Sequence, residues 1–318
     1  MTLTLRRALR YAVYDWTREM PLATRIVAMT GLFIQGYAIW SGITRSLIWP
    51  ATWPHGVWLF VAVVLIYFVG YSLQNAALTS EFIRKTQLES EQAAAAQIQR
   101  TLQPERIVAP AGYAVETYYK PFRVVGGDYF DAIDLPDGRV LLAIADVSGK
   151  GMPAALLAAN IQALVRSLGT DAADPAELAA RINRHLCRHT PANRFATAVF
   201  ALLDCASGAI VYANAGHNAP ILSAAGSTVA LEPTGMALGW FEDAPYDART
   251  MIMPIGSMLL LFTDGLPDAI GGSDPEGRIR EALTSHGTGA LTAVRALVDP
   301  KFNEDDVTVM LVKRVGGA

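Results

Sequence analysis

The chain has 318 residues, enough for one large domain or for one domain with an appended module. Its formal net charge of −3 argues against nucleic-acid binding, and no basic stripe accompanies the motifs described below. Cys187 and Cys205 are not arranged as a CxxC pair, so they predict buried thiols and not a disulfide or a zinc site.

Two apolar segments without charged side chains, residues 26–44 and 57–73, follow an N-terminal segment of residues 1–25. Each has about the 20 residues that a helix needs to cross a bilayer. Together they predict a transmembrane hairpin over residues 26–73. A cleaved signal peptide is the alternative, but the first segment starts late, is too long for such a peptide and is followed by a second segment.

The charges that flank these segments predict their orientation. Five arginines precede the first segment, Arg84 and Lys85 follow the second, and the connector carries only Arg45 and His55. Because positively charged flanks stay in the cytoplasm, both termini, and the C-terminal domain with them, should lie on the cytoplasmic side of the membrane. The chain would then be a two-pass membrane protein.

Residues 74–103 contain no glycine or proline and stop before Pro104, which predicts a linker helix that leaves the membrane. A heptad-like spacing, interrupted at Glu91, extends over about two heptads at Leu88, Ala95, Ile98 and Leu102. Two interpretations stay open: a coiled coil that forms a homodimer, or a helix packed on its own catalytic domain. Either would let an event at the membrane reach the enzyme.

Residues 104–318 form the predicted catalytic domain, in which short strands alternate with helices. A helix should begin near Pro153 and another at Asp174-Pro175, and Ser207-Gly208 should form a hairpin turn. Hairpins mixed with helix pairs indicate an α+β domain. The strand-like apolar runs are residues 140–145, 196–204, 209–215, 258–262 and 307–312.

Acidic motifs lie at the edges of these apolar runs. Each motif alone fits an ordinary turn, and Asp131, Asp134 and Asp137 around one hairpin are predicted to be solvated. The conjunction of several carboxylates at strand ends instead predicts one metal site, because such ends can meet at one edge of a sheet. An all-oxygen donor set selects hard cations such as Mg²⁺ or Mn²⁺. The candidate ligands are Asp128, Asp146, Asp264, Asp305 and Asp306.

Two further motifs carry polar groups. The Gly149-Lys150-Gly151 loop lacks the Walker pattern, although its backbone N–H groups are candidates to face an anion. His217, in a turn rich in glycine and asparagine, is a candidate general acid or phosphate contact, and the alternative is that it fixes the turn by hydrogen bonds.

These motifs, in this order, resemble the bacterial serine/threonine phosphatases of the sporulation stage II E type, within the metal-dependent type 2C phosphatase superfamily. The resemblance covers about residues 92–312 and excludes the N-terminal hairpin. The motifs that carry it are Gln97-Ile98-Gln99-Arg100-Thr101-Leu102-Gln103-Pro104, Val125-Gly126-Gly127-Asp128-Tyr129-Phe130-Asp131, Asp146-Val147-Ser148-Gly149-Lys150-Gly151, Asn214-Ala215-Gly216-His217-Asn218, Thr263-Asp264-Gly265 and Asp305-Asp306-Val307-Thr308.

The resemblance implies a role for each matching residue. Asp146 would bridge two metal ions, with the Val147 carbonyl on the second ion. Asp264 and Asp305 would complete the first. The resemblance also implies that Asp128 binds metal directly or through water, that Asp128, Asp146 and Asp264 are the catalytic carboxylates, and that Arg123 contacts the substrate phosphate. It leaves open which of the adjacent Asp305 and Asp306 turns inward.

By the same resemblance, the fold would be a β-sandwich flanked by helices on both sides, and the cofactor would be two Mn²⁺ or Mg²⁺ ions. The activity would be hydrolysis of phosphoserine or phosphothreonine on a regulatory protein such as an anti-sigma-factor antagonist, under control of the membrane segment. The alternative is a non-catalytic receptor that uses a phosphatase fold to bind a partner regulator.

Overall fold

The computed structural model describes residues 34, 36–38, 41–42, 53–102, 104, 107, 109–171, 174–191, 193–302 and 304–316. The chain divides into two compact units, Met1–Thr86 and Gln87–Ala318, and each is described by itself. The second unit contains all ten strands described below.

One helix, α1 (Trp53–Leu102), includes the predicted segment 57–73 and residues 74–102 of the predicted linker helix, and residue 103 lies outside the described residues. The predicted segment 26–44 lies almost wholly outside the described residues. Among the residues that the structure describes, no helix is both long and apolar enough to cross a membrane. The hairpin therefore stays a prediction.

The last turns of α1 pack on the second unit, to which they belong. Ala96 is buried in a small cluster with Val125 and Ala155. Two of the heptad-like positions, Leu88 and Ile98, remain exposed. These contacts support the interpretation that the end of the helix packs on its own domain, and the homodimer stays a prediction.

The strands form two antiparallel five-stranded sheets. Sheet I has the order β1-β10-β9-β6-β7, and sheet II has the order β2-β3-β4-β5-β8. The strands are β1 (Tyr113–Lys120), β2 (Asp128–Asp134), β3 (Arg139–Val147), β4 (Ala196–Asp204), β5 (Ala209–Ala215), β6 (Ile221–Ala224), β7 (Ser227–Ala230), β8 (Arg249–Ile252), β9 (Met258–Phe262) and β10 (Val307–Arg314).

Among the described residues, five α-helices and one short 3₁₀ helix (Gly287–Gly289) complete the second unit beyond α1. The α-helices are α2 (Met152–Gly169), α3 (Pro175–His189), α4 (Gly265–Ile270), α5 (Pro275–Ser285) and α6 (Ala290–Ala296). Helix α3 begins where the sequence predicts, because the Asp174 side chain accepts a hydrogen bond from the Ala176 N–H (2.9 Å) and Pro175 occupies the first turn. Pro153 similarly lies in the first turn of α2.

Three apolar layers show how these elements stack. One layer packs α2 and α3 on sheet II, the second fills the space between the sheets, and the third packs α4, α5 and α6 on sheet I. Strand β3 shows the alternation that builds them, because Leu141 faces the helices whereas Leu142 and Ile144 face sheet I. The predicted α+β fold of two sheets flanked by helices is therefore confirmed.

Candidate active site

Aspartates from both sheets meet at one edge of the sandwich. Asp128 and Asp146 are direct neighbours across β2 and β3 in sheet II. Both follow the alternation of the residues that face sheet I, since Phe130 and Ile144 belong to the layer between the sheets. Asp264 follows β9, and Asp305-Asp306 precedes β10, its antiparallel neighbour in sheet I.

The charges of these carboxylates affect one another strongly. Burial, followed by repulsion from Asp264, Asp305 and Asp306, raises the pKa of Asp146 to about 7. The pKa of Asp264 is also raised, by partial removal from water and then by Asp305, although its side chain remains exposed at the rim. The sequence-predicted carboxylates are therefore brought close enough to oppose each other's ionisation.

Asp128 is the most deeply placed carboxylate of the group, with 3% of its surface exposed. Its Oδ2 accepts hydrogen bonds from the hydroxyls of Thr263 (2.9 Å) and Thr308 (2.5 Å), which come from sheet I. Burial and the charge of Asp146 raise its pKa well above the ordinary value, and the two hydroxyls oppose that rise. Asp128 thus joins the two sheets through its side chain.

Asp306 is held by backbone N–H groups of the loop before β2. Its Oδ1 accepts from Phe122 N (2.8 Å) and its Oδ2 accepts from Gly127 N (2.6 Å). A side chain at Gly126 would overlap Asp306, so glycine is required for this close approach. Both oxygens of Asp306 are therefore occupied by the loop.

Asp305 has different surroundings from its neighbour. Its Oδ1 accepts from the N–H of Asp306 (2.9 Å), and its Oδ2 forms an ion pair with Lys150 Nζ (2.8 Å) that is partly exposed to solvent. Lys150 also donates to the Glu304 carbonyl (2.6 Å). The ammonium group thus lies at the rim as a counter-ion to Asp305, and the sequence analysis did not predict this contact.

The donor set fits a hard divalent cation, because it consists only of oxygen atoms and carries more negative charge than one lysine offsets. Among the described residues, no three His, Cys, Asp or Glu side chains already surround a single point as metal ligands. The fit therefore rests on donor chemistry and charge.

Two other predicted contacts lie beside this edge. The Val147 carbonyl lies next to Gly127, where an added Cβ would approach it to 3.1 Å. Arg123 is exposed, and its guanidinium lies 3.9 Å from the place that a Cβ would take on Gly151. Arg123 forms no ion pair with any residue in the described part of the chain.

His217 does not contact this cleft, and the prediction that it binds phosphate is wrong. Its ring is buried, with Nε2 donating to the Phe262 carbonyl (3.1 Å) and Nδ1 bonded to the Thr197 hydroxyl (2.8 Å). Burial lowers its pKa to about 4, so the ring is neutral. Because Thr197 is in β4 and Phe262 ends β9, His217 links the two sheets, as the loop-fixing alternative requires.

Asp131 was also predicted wrongly, as a solvated residue of a hairpin. It is 1% exposed and accepts hydrogen bonds from Arg166 on α2 (2.8 and 3.2 Å) and from the Tyr129 hydroxyl (3.2 Å). Alternation along β2 places it on the helix side of sheet II, opposite to Asp128. It anchors α2 and takes no part in the cleft.

Thr263 and Thr308 are site residues that the sequence analysis missed. Strand alternation could have found them, because Leu259 and Leu261 in β9, and Met310 and Val312 in β10, face the space between the sheets. Thr263 and Thr308 continue those two rows by steps of two residues. They therefore point toward Asp128.

A two-sheet sandwich between helices, with acidic strand ends at one edge, defines a phosphatase-type fold of the type 2C class. The structure agrees with two solved structures. The RsbU and RsbW domains of Rv1364c from Mycobacterium tuberculosis are 26% identical, with a TM-score of 0.59 over 67% of this chain and 64% of that chain. The SiaA-PP2C domain of Pseudomonas aeruginosa is 22% identical, with a TM-score of 0.62 over 72% of this chain and 98% of that one.

The chain belongs to the stage II sporulation protein E (SpoIIE) family, whose sequence model matches residues 136–315. Phosphoserine phosphatase RsbU of Bacillus subtilis is 28% identical over 184 residues, which cover 57% of this chain and 55% of RsbU. Protein IcfG of Synechocystis is 24% identical over 257 residues, 69% of this chain and 40% of IcfG. The chain thus spans about half of the length of these curated relatives.

Proposed function

We propose that this chain is a metal-dependent protein phosphatase that hydrolyses phosphoserine or phosphothreonine on a regulatory protein. The observation that supports the proposal most directly is the meeting of aspartates from both sheets, with the pKa of Asp146 raised to about 7. Clustered carboxylates that oppose each other's ionisation are common at sites that perform chemistry. In a surface that only binds a partner, such repulsion would lower the stability of the fold without any benefit to function.

The residues that would hold the metal ions are Asp146, Asp264, Asp305 and the Val147 carbonyl. Asp128 is the neighbour of Asp146 across β2 and β3 and shares a hydrogen bond with it. Bound cations would lower the pKa of a water molecule and offset charge that develops on the phosphoryl oxygens. RsbX, which shares the fold at 21% identity, was solved in complex with magnesium. We propose Mn²⁺ or Mg²⁺ as the cofactor.

The chain's own residues would position the phosphoryl group and exclude alternative orientations. Arg123 is exposed at the rim and its guanidinium is available to donate two hydrogen bonds to phosphoryl oxygens. Asp306 keeps the loop that carries Arg123 in place through the Phe122 N–H. Lys150 lies on the neighbouring Gly149–Gly151 loop, with its Nζ 5.3 Å from the Phe122 ring, and would supply a second positive charge if metal bound Asp305.

Phosphate release from p-nitrophenyl phosphate tests the proposal. We expect the purified chain to release phosphate with Mn²⁺, to stop when a chelator is added, and to lose turnover in Asp264→Asn. Asp247→Asn, at an exposed aspartate elsewhere, is the matched control and should keep full activity. A non-catalytic receptor would release no phosphate in any arm, and an active Asp264→Asn would reject the proposed site.

The relatives support a phosphoprotein as the substrate, because RsbU and RsbP of Bacillus subtilis are both described as phosphoserine phosphatases. We propose a phosphorylated anti-sigma-factor antagonist as the substrate class. Incubation with phosphorylated candidate antagonists and with phosphorylated kinase substrates of other classes would test it. Equal rates on both groups would contradict this assignment.

We further propose that the apolar N-terminal segments anchor the chain in the bacterial inner membrane, with both termini cytoplasmic, and control activity through the end of α1. Gln99 exchanges two hydrogen bonds with the Gly126 backbone (2.7 and 3.1 Å), two residues before Asp128, and Ala96 contacts Ala155 on α2. Deletion of residues 1–103 should therefore change Mn²⁺ affinity relative to deletion of residues 1–86. Equal affinities would exclude this route of control.

A further inference from the structure

Helix α3 carries a row of basic side chains, although the net charge of the whole chain is −3. Spacings of three and four residues place them along one side of the helix, next to the buried row of Leu178, Ile182 and Leu186. The sequence analysis did not identify this row, which we call the basic face. It consists of Arg181, Arg184, His185, Arg188 and His189.

The basic face forms one wall of a concavity of about 350 Å³ between α2 and α3, and half-buried Leu164 and Leu168 form its floor. No acidic side chain lines this concavity. Arg188 pairs with Glu242 at the margin, whereas Arg181 and Arg184 form no ion pair with any described residue. Positive charge in the last turn of α3, at Arg188 and His189, stabilises the helix, whereas Arg181 and Arg184 lie before that turn and repel each other.

A second concavity of about 350 Å³ continues from the first through His189, which lines both. Leu156, whose side chain is 65% exposed, and Pro153 form its apolar side. Its far end is lined by Arg194, which donates a hydrogen bond to the Ser148 carbonyl (2.8 Å), two residues after Asp146. The two concavities together, called here the α2–α3 groove, thus lead away from the catalytic loop.

The length of the groove can be estimated from α2. Pro153 and Leu168 mark its two ends, and 15 residues of α-helix rise by about 22 Å. A ligand that fills this length is a segment of protein and not a small molecule. An amphipathic helix suits a groove with an apolar floor and one charged wall.

We propose that the α2–α3 groove docks an acidic amphipathic segment of the phosphoprotein substrate, next to the phosphorylated residue; this inference rests on the proposed phosphatase function. Acidic side chains of the segment would face Arg181 and Arg184, and apolar side chains would contact Leu156, Leu164 and Leu168. Continuity with the Ser148 loop brings the docked protein to the cleft. The specificity of the enzyme would then come partly from contacts outside the cleft.

Two other occupants fit less well. The linker helix of a second copy offers no complementary charge, because residues 74–103 contain three acidic and three basic side chains. A lipid surface is broad and flat, whereas the apolar residues here lie at the floor of a groove between two helices. Charge and shape together favour a protein segment.

The experiment uses the full chain with Mn²⁺ and synthetic phosphoserine peptides that share one phosphorylated core and differ in a four-turn amphipathic tail. The tail contains leucine with glutamate, with glutamine, or with lysine in place of glutamate. We expect the acidic-tail peptide to have a KM about tenfold below that of the glutamine-tail peptide. The double variant Arg181→Glu/Arg184→Glu should abolish this difference and lower the KM of the lysine-tail peptide.

Arg249→Glu is the matched control, because Arg249 is exposed on β8 and belongs to the other side of sheet II. It should keep the preference for the acidic tail, and all variants should hydrolyse p-nitrophenyl phosphate at the parent rate. An unchanged tail preference in the double variant, or an equal loss in Arg249→Glu, would overturn the docking proposal. Failure of the parent to hydrolyse p-nitrophenyl phosphate would instead contradict the proposed function.

Binding of the same peptides without the phosphate, measured by fluorescence anisotropy, tests the groove independently of catalysis. The acidic tail should bind the parent and not the double variant. Sedimentation with phosphatidylglycerol and phosphatidylcholine vesicles separates the lipid alternative. Because the apolar N-terminal segments would bind both kinds of vesicle, the quantity compared is retention on phosphatidylglycerol in excess of that on phosphatidylcholine. An excess that is lost in the double variant, together with no effect of that variant on peptide binding, would overturn the proposal in favour of a lipid surface.

Discussion

Two pairs of aspartates at the same edge of the sandwich differ in what surrounds them. Asp128 and Asp306, the braced pair, are buried and each accepts two hydrogen bonds from groups on other elements. Asp146 and Asp264, the open pair, are less buried; the hydrogen bonds that influence their ionisation come from Asp128 and from the adjacent Gly265 N–H. The fold supplies hydrogen-bond donors to the braced pair and leaves the open pair available to bind a cation.

This difference separates carboxylates that build the site from carboxylates that act in it. A buried carboxylate with matched donors stabilises the structure around it, whereas removal of those donors leaves an unpaired polar group. A partly exposed carboxylate beside like charges opposes folding unless a cation binds. The braced pair should therefore affect stability, and the open pair should affect metal binding and turnover.

The largest effect is expected for Asp146→Asn in the open pair. If Asp146 holds the proposed metal ions, its loss would remove several kcal/mol of charge stabilisation, and phosphate release should fall about 1000-fold or more. The metal-free variant should unfold at a temperature equal to or above the parent's, because a repelled carboxylate is lost. Turnover on p-nitrophenyl phosphate and thermal unfolding in a chelator check both parts, and a destabilised metal-free variant would contradict the assignment.

The adjacent Asp305 and Asp306 provide the next comparison. Asp306→Ala leaves the N–H groups of Phe122 and Gly127 without their acceptor, which should lower the free energy of unfolding by about 2–3 kcal/mol. Asp305→Asn should keep stability and reduce Mn²⁺ affinity. Urea unfolding in a chelator and Mn²⁺ titration measure the two quantities. If both variants changed only metal affinity, the two residues would not have separate roles.

The sequence predicted the elements of this edge better than the contacts within it. Strands 196–204, 209–215 and 258–262 agree with the structure because apolar runs and the Ser207-Gly208 turn are local signals. The start of α3 at Asp174-Pro175 agrees for the same reason. The contact of Asp128 with Thr308 joins residues 180 positions apart, and no local pattern encodes it. Asp131 was misassigned for a related reason: its burial under α2 depends on packing, whereas turn-type composition alone indicates exposure.

Stability of the metal-free protein should depend on pH through the open pair. The pKa of Asp146 is about 7 in the fold against 3.8 when unfolded, so the folded state holds more protons and its stability falls as pH rises through 7. His217 acts in the opposite direction, but only between about 4 and its unfolded value of 6.5. Between pH 6.5 and 8, therefore, the contribution of Asp146 can be measured without that of His217.

In that window, the unfolding temperature in a chelator should decrease with pH, and the increase caused by Mn²⁺ should be larger at pH 8 than at pH 6.5. Asp146→Asn should flatten the metal-free profile, which makes it the matched control. Differential scanning fluorimetry across the window measures both effects. A metal-free unfolding temperature that rises with pH would show that the open carboxylates are not the groups that titrate.

The smallest expected effect lies in the braced pair, at Thr308. Thr308→Val removes one of the two hydroxyl donors to Asp128 and should lower the free energy of unfolding by about 1–2 kcal/mol, whereas Thr308→Ser keeps the hydroxyl and should lower it by less. If Thr308 also orients Asp128 toward Asp146, the valine variant should bind Mn²⁺ more weakly and the serine variant should restore the parent affinity. Urea unfolding combined with Mn²⁺ titration separates a packing defect from a positioning defect, because a packing defect would change stability in both variants and leave their metal affinities equal.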